Sequence, residues 1–223
     1  MKAGLLGFFS GFPTRHFPAG IAGRLRNELI ARKSLVFVSA WPSDYARNDG
    51  DAAGMHGMFE ECGMPFERFC VIDGRTDARE AQALIRGASC IFLMGGHATQ
   101  QFRLICDKGI LEEIRESSAV ILGVSAGSSN MAVRALDIWE SHVPYAGLGL
   151  ADITIKAHAA PENRELLQTL AQISAEQEMP ICAMEDESAI FVKGNAITHV
   201  GRIHWINRGE ICPFSPEMLS GCV

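Results

Sequence analysis

The chain has 223 residues, 48% of them hydrophobic and 21% charged, which is enough to bury one substantial core and falls in the ordinary globular range. Twenty Lys and Arg against 26 Asp and Glu give a net charge of −6, which argues against nucleic acid as the main partner. Apolar runs such as Ala119 to Leu122 are strand-sized and far short of the ~20 residues a bilayer span needs, so no membrane partner is expected.

In chain order, Met1 to Ser10 lacks a small-residue cleavage site and reads as the first strand. Further strands are expected over Leu35 to Val38, Phe69 to Ile72, Cys90 to Met94 and Val120 to Leu122. Between them, Gly20 to Arg32, Ala52 to Cys62, Asp77 to Arg86 and Gln100 to Arg115 carry apolar residues at helical spacing, and Asp77 with Glu80 has the spacing of a capping box. This alternation predicts a doubly wound, mostly parallel α/β sheet with helices on both faces. Later, Asp152 to Ile155 and Ala189 to Val192 read as strands, Lys193 to Ala196 as a hairpin turn, and Ile197 to Ile206 as a strand or two. These are expected as antiparallel additions at a sheet edge. No repeat or linker interrupts the chain, so 1–223 is read as a single domain. The seven cysteines are scattered, without a C-x-x-C pair or zinc-ligand spacing, which suits a reducing, cytoplasmic setting and predicts no metal.

The chemistry concentrates at glycine turns. Gly123-Val124-Ser125-Ala126-Gly127 follows an apolar strand and precedes a helix-like stretch from Asn130 to Leu136, the setting of a nucleophile elbow. In such a turn a strained serine stands above the sheet edge, and only very small neighbours let the strand and helix pass. A second turn, Gly95-Gly96-His97, follows another parallel strand, so both emerge at the carboxyl edge and can face one crevice. Backbone N–H groups near Gly96, with that of Ala126, are then placed to receive an oxyanion. Of seven histidines, His158 lies in a loop just past a strand and is the candidate base, with His97 its competitor. For the acid, Glu185-Asp186-Glu187 precedes a strand, whereas Asp137 and Glu140 lie at or beyond the helix after the nucleophile; spacing alone leaves the choice open.

The ordered set of Gly95-Gly96-His97 with Gln100, then Gly123 to Ser128, then Gly147 to Ile153 leading to His158, then Asp186 to Ile190, resembles the dipeptidase E and cyanophycinase family of serine peptidases. That family has a fold like the class I glutamine amidotransferases. The resemblance implies Ser125 as nucleophile, His158 as general base and Asp186 as the orienting acid, with Asp137 the alternative. It also implies a substrate-reading Arg, for which Arg164 is the carry-over. Two departures stand out: Gly-Gly-His replaces the family's common Gly-Gly-Asn, and Ala157 precedes His158 where Pro is usual. The second weakens the transfer of aspartyl-dipeptide specificity. The expected activity is hydrolysis of small peptides, including aspartyl dipeptides, through an acyl-enzyme on Ser125, without metal or organic cofactor, by a monomer or homodimer. A non-catalytic ligand-binding module of the same fold and a serine esterase are the alternative readings.

Overall fold

The computed structural model describes residues 4–138 and 140–219; the first three residues of the expected first strand, and Cys222, lie outside them. The strands are β1 (Leu6–Phe9), β2 (Ser34–Val38), β3 (Arg68–Ile72), β4 (Cys90–Leu93), β5 (Val120–Val124), β6 (Arg134–Ala135), β7 (Tyr145–Ala146), β8 (Ile155–Lys156), β9 (Ile181–Met184), β10 (Ala189–Lys193), β11 (Ala196–Val200), β12 (Ile203–Asn207) and β13 (Glu210–Pro213). The helices are α1 (Ala19–Glu28), α2 (Tyr45–Glu61), α3 (Ala78–Arg86), α4 (Ala98–Asp107), α5 (Leu111–Glu116), α6 (Ala126–Met131) and α7 (Arg164–Glu176).

The main sheet has seven strands in the order β11-β10-β1-β5-β4-β2-β3. Its five central and distal strands are parallel, while β10 runs antiparallel to β1 and β11 antiparallel to β10. Alternate side chains of each strand feed opposite faces, as the two-residue strand period requires. Phe8, Val36, Val38, Ile91, Leu93 and Ile121 bury on one face, and Phe9, Leu35, Phe37, Phe92 and Leu122 on the other. Asp77 is the N-cap of α3, its side chain accepting from the Glu80 N–H at 2.8 Å.

Several elements depart from the sequence reading. The span 100–115 is two helices, α4 and α5, because the chain turns at Gly109 with φ +63°. The helix expected over 130–136 ends at Met131, and the chain then turns extended through Ala132. Tertiary hydrogen bonds win there: Val133 N–H donates to Ala151 O at 2.9 Å and Leu148 N–H to Asn130 O at 2.7 Å. Of the strand expected over 152–155 only the end is extended, as β8. The stretch 197–206 divides at Gly201, φ +78°, into strands of two different sheets. Where the sequence predicts only additions at one sheet edge, β13-β12-β9-β8 form a second sheet, and α7 packs on it through Leu170 and Ile173. No helix among the described residues is long and apolar enough to cross a membrane.

The topology decides what meets at the rim. Strands β1, β5 and β4 are parallel neighbours, so Ser10, Ser125 and Met94 leave the sheet side by side. Because β10 is antiparallel, its beginning rather than its end lies there, with Phe9 opposite Ala189. The segment before β10, carrying Asp186, is thereby delivered to the same edge.

Candidate active site

Ser125 adopts φ 51° and ψ −111°, a conformation that L-residues avoid and that costs about 1–3 kcal/mol unless the surroundings enforce it. The enforcement is visible. Ser125 N–H donates to Phe9 O at 2.9 Å. Ser128, fully buried, accepts from Phe9 N–H at 2.9 Å, and its hydroxyl lies 2.7 Å from Gly123 O and 2.8 Å from Phe9 O. The flanking glycines are needed for close approach: a Cβ on Gly127 would collide with the Leu93 carbonyl, and one on Gly123 would meet the Gly127 backbone at 2.7 Å. Behind the turn, the buried Asn130 amide donates to Ala98 O at 2.8 Å and accepts from Tyr145 at 2.7 Å, tying α6 to α4 and to β7.

His158 is also held at positive φ, 58°, with its N–H donating to Ser10 Oγ at 2.8 Å. Its Nε2 lies 3.0 Å from Ser125 Oγ and its Nδ1 2.7 Å from Asp186 Oδ1. The carboxylate can only accept, so Nδ1 carries the proton and Nε2 offers its lone pair to the serine hydroxyl. Asp186 sits in a turn closed by Glu187 N–H donating to Gly11 O at 2.8 Å and by Ser188 Oγ donating to Glu185 O at 2.5 Å. Glu185 itself turns away to Arg202 and His204, each at 3.2 Å.

The remaining candidates are placed as follows. Ala126 opens α6, where an N–H has no intrahelical acceptor, and Gly96 N–H has no hydrogen-bond partner among the described residues. Gly95 and Gly96 line the same cavity as Ser125, and a Cβ on Gly95 would lie 3.5 Å from that of Ser125. His97 does not line that cavity; its ring packs edge-on against Trp41, with centroids 4.2 Å apart, and it is His158 that reaches the serine. Asp137 likewise does not hold the imidazole, whose Nδ1 faces Asp186. It lines a small recess of about 40 Å³ on the other side of Ser125, together with Lys156. Burial pushes the Lys156 ammonium below its usual pKa, and the Asp137 carboxylate partly opposes that shift. Arg164 is the exposed first residue of α7 and does not line the cavity beside Ser125, because Asn163 caps the helix at 3.1 Å and the chain there runs outward over the second sheet.

Two further groups at the rim belong to no sequence motif. One is Ser10 and Gly11 at the end of β1, whose only signal was a small polar pair at the carboxyl end of the strand beside the elbow strand. The other is the cavity of about 440 Å³ that opens on Ser125 and His158, with Phe12, Phe37, Met55, Met58 and Phe92 in its wall and Arg15 and Arg47 among its lining.

A hydroxyl, an imidazole and a carboxylate in hydrogen-bonded series, on the carboxyl rim of a mainly parallel sheet, are the constellation of a serine hydrolase. Residues 27–200 match the model of Peptidase family S51, and the chain belongs to that family of serine peptidases. Its fold is similar to that of a peptidase from an acI-B1 Actinobacterium, at 15% identity, covering 95% of this chain and 97% of that one with a TM-score of 0.71. It is also similar to a protein described as a candidate peptidase E from Listeria monocytogenes EGD-e, at 16% identity, covering 88% and 98% of the two chains with a TM-score of 0.65. No curated protein matches the chain.

Proposed function

We propose that this serine peptidase hydrolyses small peptides through an acyl-enzyme on Ser125, with His158 as general base and Asp186 as the group that orients it. The observation that carries this reading is the pair of contacts at 3.0 Å and 2.7 Å that link Ser125 Oγ, His158 and Asp186. As Oγ attacks the scissile carbonyl carbon, its proton passes to His158 Nε2, and Asp186 stabilises the imidazolium that forms. The carbonyl oxygen becomes an oxyanion facing the N–H groups of Gly96 and Ala126. Collapse of the tetrahedral intermediate breaks the C–N bond, and His158 gives its proton to the leaving amine. Water then attacks the acyl ester, surrendering a proton to His158, and the acid departs with Ser125 restored. The imidazole side chain is 50% exposed, which leaves that water a direct approach.

A cavity of about 440 Å³ supports a short substrate over an extended chain. The six described cysteines are all free thiols, which supports a reducing compartment, the cytoplasm. The test is Ser125→Ala, expected to cut turnover about a million-fold and to abolish labelling by a fluorophosphonate. Near-normal cleavage by that variant would rule the mechanism out. Failure of the unaltered protein to react with the probe would instead favour a pocket that binds without catalysis.

A further inference from the structure

The cavity beside the nucleophile has a character that the triad does not explain. Apolar residues contribute much of its lining: the half-buried Phe12 and Met55, from the loop after β1 and from α2, and the buried Met58 of α2, Met94 of the loop after β4, and Phe37 and Phe92 of β2 and β4. Its charges are Arg15, Arg47 and Asp51. Arg47 is already engaged, with its Nε 3.4 Å from Asp51 and its guanidinium 4.3 Å above the Trp41 ring. Only Arg15, which is exposed, carries a charge there without a side-chain partner among the described residues. A carboxylate pushed inward onto the phenylalanines and methionines would lose its water, and that one cation, Arg15, stands exposed to solvent. An aromatic or long aliphatic side chain would lose nothing and bury its surface against rings and adaptable thioethers.

The room for such a side chain comes from α2. Gly50 and Gly54, one helical turn apart, both line the cavity, and a Cβ built on either meets no atom within 4 Å. Glycine inside a helix is costly relative to alanine, so these two positions give up helix stability and leave open space in the cavity that Ser125 also lines.

We propose that this cavity is the subsite for a large apolar side chain on the residue flanking the scissile bond, so that the preferred substrates are short peptides carrying Phe, Leu or Met there and not an acidic residue. The proposal rests on the serine-peptidase reading of Ser125. The volume, about 440 Å³, is within the range of small-molecule pockets and holds one such side chain with its backbone.

The experiment compares kcat/KM over short peptides with Ala, Leu, Phe, Asp or Lys on either side of the scissile bond, for the unaltered protein and for Gly54→Leu and Gly54→Ala. Full burial of a Leu or Phe side chain predicts a preference over Ala of about tenfold to a hundredfold, with Asp below Ala. Gly54→Leu is expected to bring the Phe-to-Ala ratio down to about one and Gly54→Ala to lower it less, both with Ser125 still labelled by a fluorophosphonate. Either substitution replaces a helical glycine by a better helix former, so loss of folding is not the expected outcome. Acidic substrates turning over fastest, or a Phe-to-Ala ratio untouched by Gly54→Leu, with labelling intact, would overturn the subsite alone. No labelling and no cleavage of any peptide by the unaltered protein would overturn both the subsite and the nucleophile assignment.

Discussion

Gly11 contributes no reactive atom, yet substituting it by alanine is expected to damage catalysis more than folding. Its φ lies outside the left-handed region, so an L-residue is allowed by the backbone and only space is at issue. A Cβ there would lie 2.5 Å from His158 Cε1, 2.6 Å from Asp186 Oδ1 and 3.0 Å from His158 Nδ1. Carbon atoms in comfortable contact stand roughly 3.5 Å apart, so the imidazole must move by about 1 Å. It is held at one end by Asp186 at 2.7 Å and at the other by Ser125 at 3.0 Å, with little slack in either contact. A displacement of about 1 Å takes one of them beyond hydrogen-bond reach. Misplacement on that scale costs about a hundredfold in rate. The strain of an added methyl in a packed place is about 1–3 kcal/mol, and much of it is relieved here because the imidazole and the carboxylate are each partly exposed. The expected signature is therefore a kcat/KM lowered about a hundredfold, mostly in kcat, and a slower reaction with a fluorophosphonate, with a melting temperature lowered by a few degrees at most. Turnover within about threefold of the unaltered enzyme would refute the claim that this close approach sets the position of the imidazole.

Two further outcomes separate roles within the molecule. Asp186→Asn should lower kcat about ten-thousand-fold by favouring the wrong imidazole tautomer, whereas Asp137→Asn should stay within about tenfold; the reverse order in steady-state kinetics would transfer the orienting role to Asp137. Asp73, fully buried, is pulled two ways: burial alone would raise its pKa, but hydrogen bonds from Arg75 and Asn48 outweigh that and hold it below the ordinary aspartate value of about 3.9. Its contribution to stability is thus present above that ordinary value and lost as pH falls through the lower, folded-state pKa. Asp73→Asn should accordingly cost about 1 kcal/mol near neutrality, a modest figure because Arg75 is 44% exposed and keeps Asp49. In urea denaturation the gap should narrow as the pH is lowered through and below the ordinary aspartate range, and a gap independent of pH would refute the linkage.

Much of the fold was legible because parallel strands buried on both faces advertise themselves as apolar runs, as over 35–38 and 90–94. The elbow was legible for a steric reason: the Leu93 carbonyl and the Gly127 backbone leave no room for larger residues at 127 and 123. What escaped depends on contacts distant in the chain. The end of α6 is decided by Ala151 and Leu148, far down the sequence, and helical spacing within 130–136 could not report it. The expectation for Arg164 rests on the family resemblance of the segment after His158, but between the two residues the chain leaves the rim and caps a helix on the second sheet. Which of Asp186 and Asp137 stands beside the imidazole depends on strand direction. Only an antiparallel β10 brings the residues before it to the edge where β5 ends.

The segment that organises the reactive residues carries none of the three reactive groups itself. Phe9 O receives the Ser125 N–H at 2.9 Å, Ser10 Oγ receives the His158 N–H at 2.8 Å, and Gly11 O receives the Glu187 N–H at 2.8 Å. Ser10, fully buried, also donates to Met184 O at 3.0 Å, fixing the end of β9 from which the Asp186 turn departs. Three loops from distant parts of the chain therefore each end on one of three consecutive residues at the tip of β1. Each of the three bonds involves the backbone of the loop it holds, so the loops keep their positions whichever side chains they carry. The serine, the imidazole and the carboxylate are brought into line by one strand end that supplies acceptors, and the reactive groups need only the rotamers that such a frame allows.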